Sequence, residues 1–506
     1  MGVMTRPFLI CILAAAAASA EVKLPAVISS HMVLQQDLPV RLWGWAEAGE
    51  KVTAALGGKS VSAVTASNGA WSMVLPKMKA GGPHTLTIEG KNKIVVDDVL
   101  VGEVWVASGQ SNMEFAVERA LNFDEEKAAA TDSQIRFFKV KRDVAGKPAS
   151  DMEAVWEPVS PNTVGPFSAV AYFFARDLRK ARKAPVGILQ TSWGGTPAEA
   201  WTSRASLEAR EPLRHFFPDW DKELTAYPAR KAEYDRRLAE WKQEAAAAKQ
   251  AGREVSRQPQ PPRGGPGHPW TPAGLYNAMI SPLTPYAIRG AIWYQGEANA
   301  GSTERSREYR LLFRTMIEDW RKAWGLGDFS FLFVQLAGFT AAKDADWPLV
   351  RESQNASLAL RNAGVAVAID IGEEKDIHPR NKQDVGRRLA LAARAITYKE
   401  KVEFSGPMYK TMKRHGGAIR LSFTHAKGMK AQSGELGGFL IAGADKKFVP
   451  AKAEIKGSTV VVRVGEVKEP AAVRYGWSDW IPAANLSNAA GLPASPFRTD
   501  TWPETK

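Results

Sequence analysis

Val99-Leu-Val-Gly-Glu-Val-Trp-Val-Ala107, running directly into Ser108-Gly-Gln-Ser-Asn-Met113, is the stretch that decides how this chain folds. The first segment is mostly apolar and strand-friendly, and Ser108-Gly109 is a turn signal. Glu114-Phe-Ala-Val-Glu-Arg-Ala-Leu121 then reads as the opening of a helix. A serine on such a strand-to-helix turn holds its hydroxyl at the carboxyl end of a strand and its own N–H at a helix N-terminus. The first position suits a nucleophile, and the second suits stabilisation of an oxyanion. The plain alternative is that Ser111 only caps a helix.

Outward from that point the chain divides by pattern. Residues 21–98 contain short alternating runs between Gly, Pro and Asn turns, such as Val40-Arg-Leu-Trp-Gly-Trp45 and Gly69-Ala-Trp-Ser-Met-Val-Leu75. That spacing predicts an all-β sandwich. Residues 99–400 alternate apolar strands at 99–107, 186–191, 288–294, 330–336 and 364–371 with amphipathic helices at 167–183, 304–324 and 382–399. This is an α/β domain with a mostly parallel sheet. Residues 401–506 return to β patterning. Residues 205–262 interrupt the α/β domain as a charged helical insertion, read as a surface excursion, that runs out into Gln258-Pro-Gln-Pro-Pro-Arg-Gly-Gly-Pro266.

Composition narrows the class. The 506 residues are 45% hydrophobic, enough for two or three domains with a full core. Residues 1–20 read as a secretory signal: Arg6, the apolar run Phe8–Ala18, and Ala18-Ser19-Ala20 at a small-residue cleavage site. The only cysteine, Cys11, falls inside it, so the mature chain is expected to have no disulfide, cysteine nucleophile or thiolate metal site. An exported fold without disulfides fits a bacterial periplasm. The formal charge of +13 is spread through mixed-sign segments such as Lys231 to Arg257, and no nucleic-acid module is recognisable. No segment is long enough to span a bilayer. Neither nucleic acid nor membrane insertion is therefore expected.

A serine nucleophile needs a base, and there are seven histidines. His31 and His84 lie in the N-terminal β region, His215 and His268 bracket the insertion, and His415 and His425 lie in the C-terminal β region. His378 sits instead in Asp370-Ile-Gly-Glu-Glu-Lys-Asp-Ile-His-Pro379, between a strand and a helix of the α/β domain. If the sheet is parallel, that loop shares a rim with Ser111. Glu373, Glu374 and Asp376 crowd close to it, and imidazole beside carboxylate is the arrangement of a general base. Two further loops follow strands: Ile292-Trp-Tyr-Gln-Gly-Glu-Ala-Asn299, and Gly187-Ile-Leu-Gln-Thr-Ser-Trp-Gly-Gly-Thr196 with a Gly-Gly turn able to present N–H groups.

Together these motifs resemble the sialate O-acetylesterase family, a branch of the SGNH/GDSL-like hydrolases. Further matching pieces are Ser29-Ser-His-Met-Val-Leu-Gln-Gln36, Trp43-Gly-Trp45 and Gly491-Leu-Pro-Ala-Ser-Pro-Phe-Arg-Thr-Asp500, so the resemblance spans nearly the whole mature chain. It implies an SGNH-like, flavodoxin-like three-layer α/β domain that hydrolyses O-acetyl esters on sugars without metal or organic cofactor. It implies Ser111 as nucleophile, His378 as base, and an oxyanion hole from the N–H groups of Ser111 and Gly195 with Gln295 as a third donor and Asn299 as fallback. Gln110, Asn112, Trp193, Glu297 and Asn299 are the expected substrate contacts. In the wider group the acid stands three residues before the histidine, which here is Lys375; Asp376, two before, takes that place, with Glu374 or a simple dyad as alternatives. An acetylxylan or other plant-polysaccharide esterase would use the same machinery. A non-catalytic carbohydrate-binding protein is the alternative of another class, motivated by the 17 Trp and the two β regions.

Overall fold

Strand β1 (Lys93–Gly109) runs unbroken across residue 98 and belongs to two neighbourhoods at once. In the computed structural model, which describes residues 21–503, its first half receives the N-terminal strands. Gly81–Glu89 lies antiparallel to it and Val33–Gln35 parallel, while Lys51–Leu56 and Lys59–Val64 extend the same sheet. Val40–Trp45 and Ala70–Leu75 form a separate antiparallel pair. The expected signal segment lies outside the described residues.

The second half of β1 is buried on both sides, and its near-continuous apolar run is what an interior parallel strand requires. β2 (Ile135–Lys139), β3 (Val186–Gln190), β4 (Gly290–Tyr294), β5 (Ser330–Val334) and β6 (Ala363–Ala366) complete a parallel sheet in the order β6-β5-β4-β1-β3-β2. Gln190 stands opposite Ala107 and Tyr294 opposite Gly109. The chain goes from β1 to β2, returns to β3, then crosses to β4 on the far side of β1. The strand order therefore reverses at β1, and a crevice opens at its carboxyl end.

Helices cover both faces. On one, Trp105 of β1 meets Phe174 of α2 (Ala169–Arg182), ring centroids 5.1 Å apart. On the other, Trp293 of β4 packs at 5.8 Å against Trp320 of α4 (Thr303–Trp324). The insertion forms α3 (Phe216–Gln250), which buries only Phe216, Phe217 and Ala248. α5 (Trp347–Ala356) and α6 (Lys382–Ile396) follow the last two crossovers. Beyond residue 401 stand two four-stranded antiparallel sheets that share an aromatic cluster of Tyr409, Phe423, Tyr475 and Phe497. Among the described residues, no helix is long and apolar enough to cross a membrane.

Two expectations of local structure differ from the outcome. The helix anticipated over 114–121 is broken into a single α turn, α1 (Ser111–Glu114), and a 3-10 turn at Val117–Arg119, with extended backbone at Ala116 between them. Val117 N–H donates to Phe167 O and Ala169 N–H to Phe115 O, so pairing with residues 167–169 replaces helix propagation. The strand anticipated to residue 371 stops at Ala366, because Asp370 turns out of the sheet to form a two-pronged ion pair with Arg388 of α6 at 2.6 and 2.7 Å.

Candidate active site

α1 begins where β1 ends, and Gly109 makes the junction possible. Its φ is +137°, and a Cβ there would lie 2.2 Å from Tyr294 O. Only glycine lets β1 pass so close to β4. Gln110 N–H donates to Tyr294 O at 2.9 Å, and Ser111 follows on the first turn of α1. Its Oγ lies 2.8 Å from His378 Nε2, a contact between residues 267 apart in the chain. The Phe115 ring stacks against the imidazole with centroids 6.3 Å apart. Asp376 Oδ1 accepts from the His378 N–H at 2.8 Å and stands 3.6 Å from Nδ1. It braces the loop and is the carboxylate beside the ring; exposed Glu374 makes no contact with His378.

A buried polar cluster ties the serine turn to the histidine loop. Asn112 donates from Nδ2 to Ile377 O at 2.9 Å and to Glu297 Oε1 at 2.6 Å, and its Oδ1 accepts from Lys382 Nζ at 2.5 Å. Lys382 is fully buried, with its ammonium 4.8 Å from the Phe115 ring centroid and 5.4 Å from that of Tyr294. Burial drives its pKa down to about 7, against the attraction of Glu297, and burial likewise pushes the Glu297 carboxyl up. His378 is held below its ordinary value of 6.5, first by burial and then by the charges of Lys382 and Arg119, with Asp376 opposing.

For a histidine that serves as a base, the neutral form is the active one, so a lowered pKa extends activity to lower pH. The acid limb of kcat/KM is expected below 6.5, the free imidazole value. Lys382 carries its charge throughout that limb, so Lys382→Met should move the limb upward. A pH profile of both proteins checks this, and an unmoved limb would contradict the electrostatic role of Lys382.

The Gly-Gly turn packs against the serine. A Cβ on Gly194 would lie 3.3 Å from Ser111 Cβ, and Gly194 N–H donates to Glu114 Oε2 at 2.8 Å. Glu114 is itself ion-paired to Arg142. Gly195 adopts φ +73° with open space around it, and its carbonyl accepts from Trp270 Nε1 at 2.7 Å. Among the described residues, no acceptor meets the N–H of Ser111 or of Gly195.

Gln295 and Asn299 do other work than expected. Gln295 is fully buried, donating to Asn299 Oδ1 at 2.7 Å and to Thr196 O at 3.3 Å while accepting from Tyr309 at 2.8 Å. With both amide hydrogens engaged it has none for an oxyanion. Asn299 is buried in the same network, donating to Glu199 Oε2 at 2.9 Å. Gln110 Oε1 accepts from Gly296 and Ala298 N–H groups, so it holds the β4 loop. Asn112 and the carboxylate of Glu297 are internal as well, which leaves Trp193, half-buried under Arg142 at 5.7 Å, as the expected substrate contact that reaches solvent. Among the described residues, no group of three or more His, Cys, Asp or Glu side chains is placed to hold a metal ion.

Residues 263–395 match the carbohydrate esterase family of sialic acid-specific acetylesterases. The rat sialate O-acetylesterase is 31% identical, the alignment covering 93% of each chain. The chain belongs to the sialate O-acetylesterase family. The human member is 29% identical over 93% of this chain and 91% of its own. A carbohydrate acetylesterase from Xanthomonas citri, solved by crystallography, superposes with a TM-score of 0.82 at 38% identity, covering 95% of this chain and all of the other. This member of the family is a carboxylic ester hydrolase.

Lys382 and Trp270 were not singled out by motif. A signal existed for the first: Lys382 occupies the apolar stripe of Val385 and Leu389 on α6, where a lysine needs a partner. Trp270, in Pro269-Trp-Thr-Pro272, carries no spacing that relates it to Gly195.

Proposed function

We propose that this chain hydrolyses O-acetyl esters on carbohydrates, sialic acid foremost, through an acyl-enzyme formed on Ser111. The 2.8 Å contact between Ser111 Oγ and His378 Nε2 carries the reading, and it disfavours a purely sugar-binding role. His378 takes the serine proton as Oγ attacks the acetyl carbonyl, then returns it to the departing sugar hydroxyl. Water activated by the same imidazole attacks the acyl-serine, and acetate leaves. Asp376 orients the loop and favours the imidazolium formed in each step. The N–H groups of Ser111 and Gly195 receive the oxyanion, because both lack another acceptor and the turn of one packs on the other.

The α/β domain is read as SGNH-like, with strand order reversing beside Ser111, and the regions 21–98 and 401–506 as sandwich-like supports. Export rests on the signal-like segment ending at Ala20. The second reading, an acetylxylan or other plant-polysaccharide esterase, uses the same serine and histidine, and the Xanthomonas citri neighbour is named only as a carbohydrate acetylesterase. Acetate release from 9-O-acetylated sialic acid and from acetylated xylan, measured side by side, decides between them. Faster release from the sialic acid is expected. Faster release from xylan would keep Ser111 and His378 and reassign the sugar, and release from neither would overturn the reading.

A further inference from the structure

Across the Gly194-Gly195 turn from Ser111, a cavity of about 490 Å³ opens between the first turns of α3 and the α/β domain. Small-molecule sites run from roughly 300 to 1,000 Å³. Trp270 lines it, hydrogen-bonded through Nε1 to Gly195 O at 2.7 Å. Trp220 of α3 lines it too, and the His268 ring lies near both indoles, 6.1 Å from Trp220 and 6.3 Å from Trp270. Both tryptophans are half-buried.

The rim is polar and mostly neutralised. Lys222 pairs with Asp219 at 2.9 Å, Arg230 with Glu223 at 2.7 Å, and Arg305 with Glu199 at 2.7 Å. Arg263 lies 4.8 Å over the Trp270 ring and has no carboxylate partner among the described residues. A single unmatched cation is too little for a phosphate cluster, and a charged rim repels a lipid chain. Indole faces surrounded by ion-paired donors and acceptors match a pyranose, whose C–H face is apolar and whose edge is all hydroxyl.

We propose that this cavity is a subsite for a sugar of the substrate glycan other than the one whose ester is cleaved. The inference rests on the esterase reading above and adds that the enzyme, while able to cleave a free acetylated monosaccharide, prefers the same sugar within a glycan. The sugar stacks on Trp220 and Trp270, with Arg263, Glu199 and Arg305 at its hydroxyls. Because Trp270 also holds the Gly195 carbonyl, the subsite and the oxyanion turn share one side chain.

The test compares kcat/KM for acetylated xylotetraose and 9-O-acetylated sialyllactose with kcat/KM for the matching acetylated monosaccharides. The parent protein is expected to prefer one of the oligosaccharides, and which one identifies the glycan. Trp220→Ala should lower the oligosaccharide-to-monosaccharide ratio about tenfold through KM, as loss of one aromatic anchor does. Arg263→Gln, on an exposed side chain, should lower it in the same direction. Equal ratios in the parent and both variants, or no preference for oligosaccharide in the parent, would overturn the subsite while leaving the esterase reading intact. Failure of the parent on every acetylated sugar would overturn both.

Discussion

Ser111→Ala is expected to lower kcat for any acetyl ester by a factor of about 10⁶, the scale seen when a triad loses its nucleophile. The hydroxyl has no substitute within the crevice. Asp376 braces the histidine loop through a backbone N–H, Glu297 is locked against Asn112, and no other hydroxyl contacts His378 among the described residues. Folding should be nearly untouched. The variant gives up one hydrogen bond to a half-buried imidazole, worth about 0.5–1.5 kcal/mol. Acetate release and denaturant unfolding on the same preparation separate the two effects. A stable variant that keeps more than a hundredth of parental activity would refute Ser111 as nucleophile. His378→Ala should be as inactive, and the double variant no worse, because the two side chains act as one unit.

How much of this was legible beforehand differs by the kind of information involved. The parallel sheet was readable because the second half of β1, with β3, β4 and β5, forms near-continuous apolar runs bounded by turn residues. Ser111 and His378 were readable because each stands in a polar loop leaving a strand. Gln295 reads from the sequence as standing in a loop that leaves a strand, but its role there was not accessible. An amide can serve an oxyanion or bond its neighbours, and only the positions of Tyr309, Asn299 and Thr196 decide which. The helix at 114–121 failed for the same reason. Local propensity favoured it, while pairing with residues 167–169, more than 40 positions away, removed it. Lys382 lay between these cases, visible as an anomaly on an apolar stripe but with partners on two other loops.

Arg351 is the extreme instance, and it carries the largest stability prediction. It sits on α5, fully buried, and nothing in its sequence neighbourhood marks it. Its guanidinium donates to four carbonyls: Leu336 and Ala337 at 2.9 Å on the loop after β5, and Ser478 at 2.6 Å and Asp479 at 2.9 Å in the C-terminal region. Burial pulls its pKa down to about 9, so it remains charged at neutral pH. Backbone acceptors carry no side-chain signature, which is why such a clamp cannot be read from residue types. Arg351→Ala leaves the buried Leu336 and Ala337 carbonyls without their donor and should cost about 3–5 kcal/mol. The same loop reaches the histidine segment, where Thr340 N–H donates to Glu374 O at 3.0 Å, so activity should fall along with stability. Arg351→Lys should recover less than half the loss, since three ammonium donors cannot span four acceptors. In denaturant, the C-terminal region should release first, as an early transition that the parent lacks. An unchanged first midpoint in Arg351→Ala would show instead that the aromatic and apolar contacts of the C-terminal region hold it in place without the clamp.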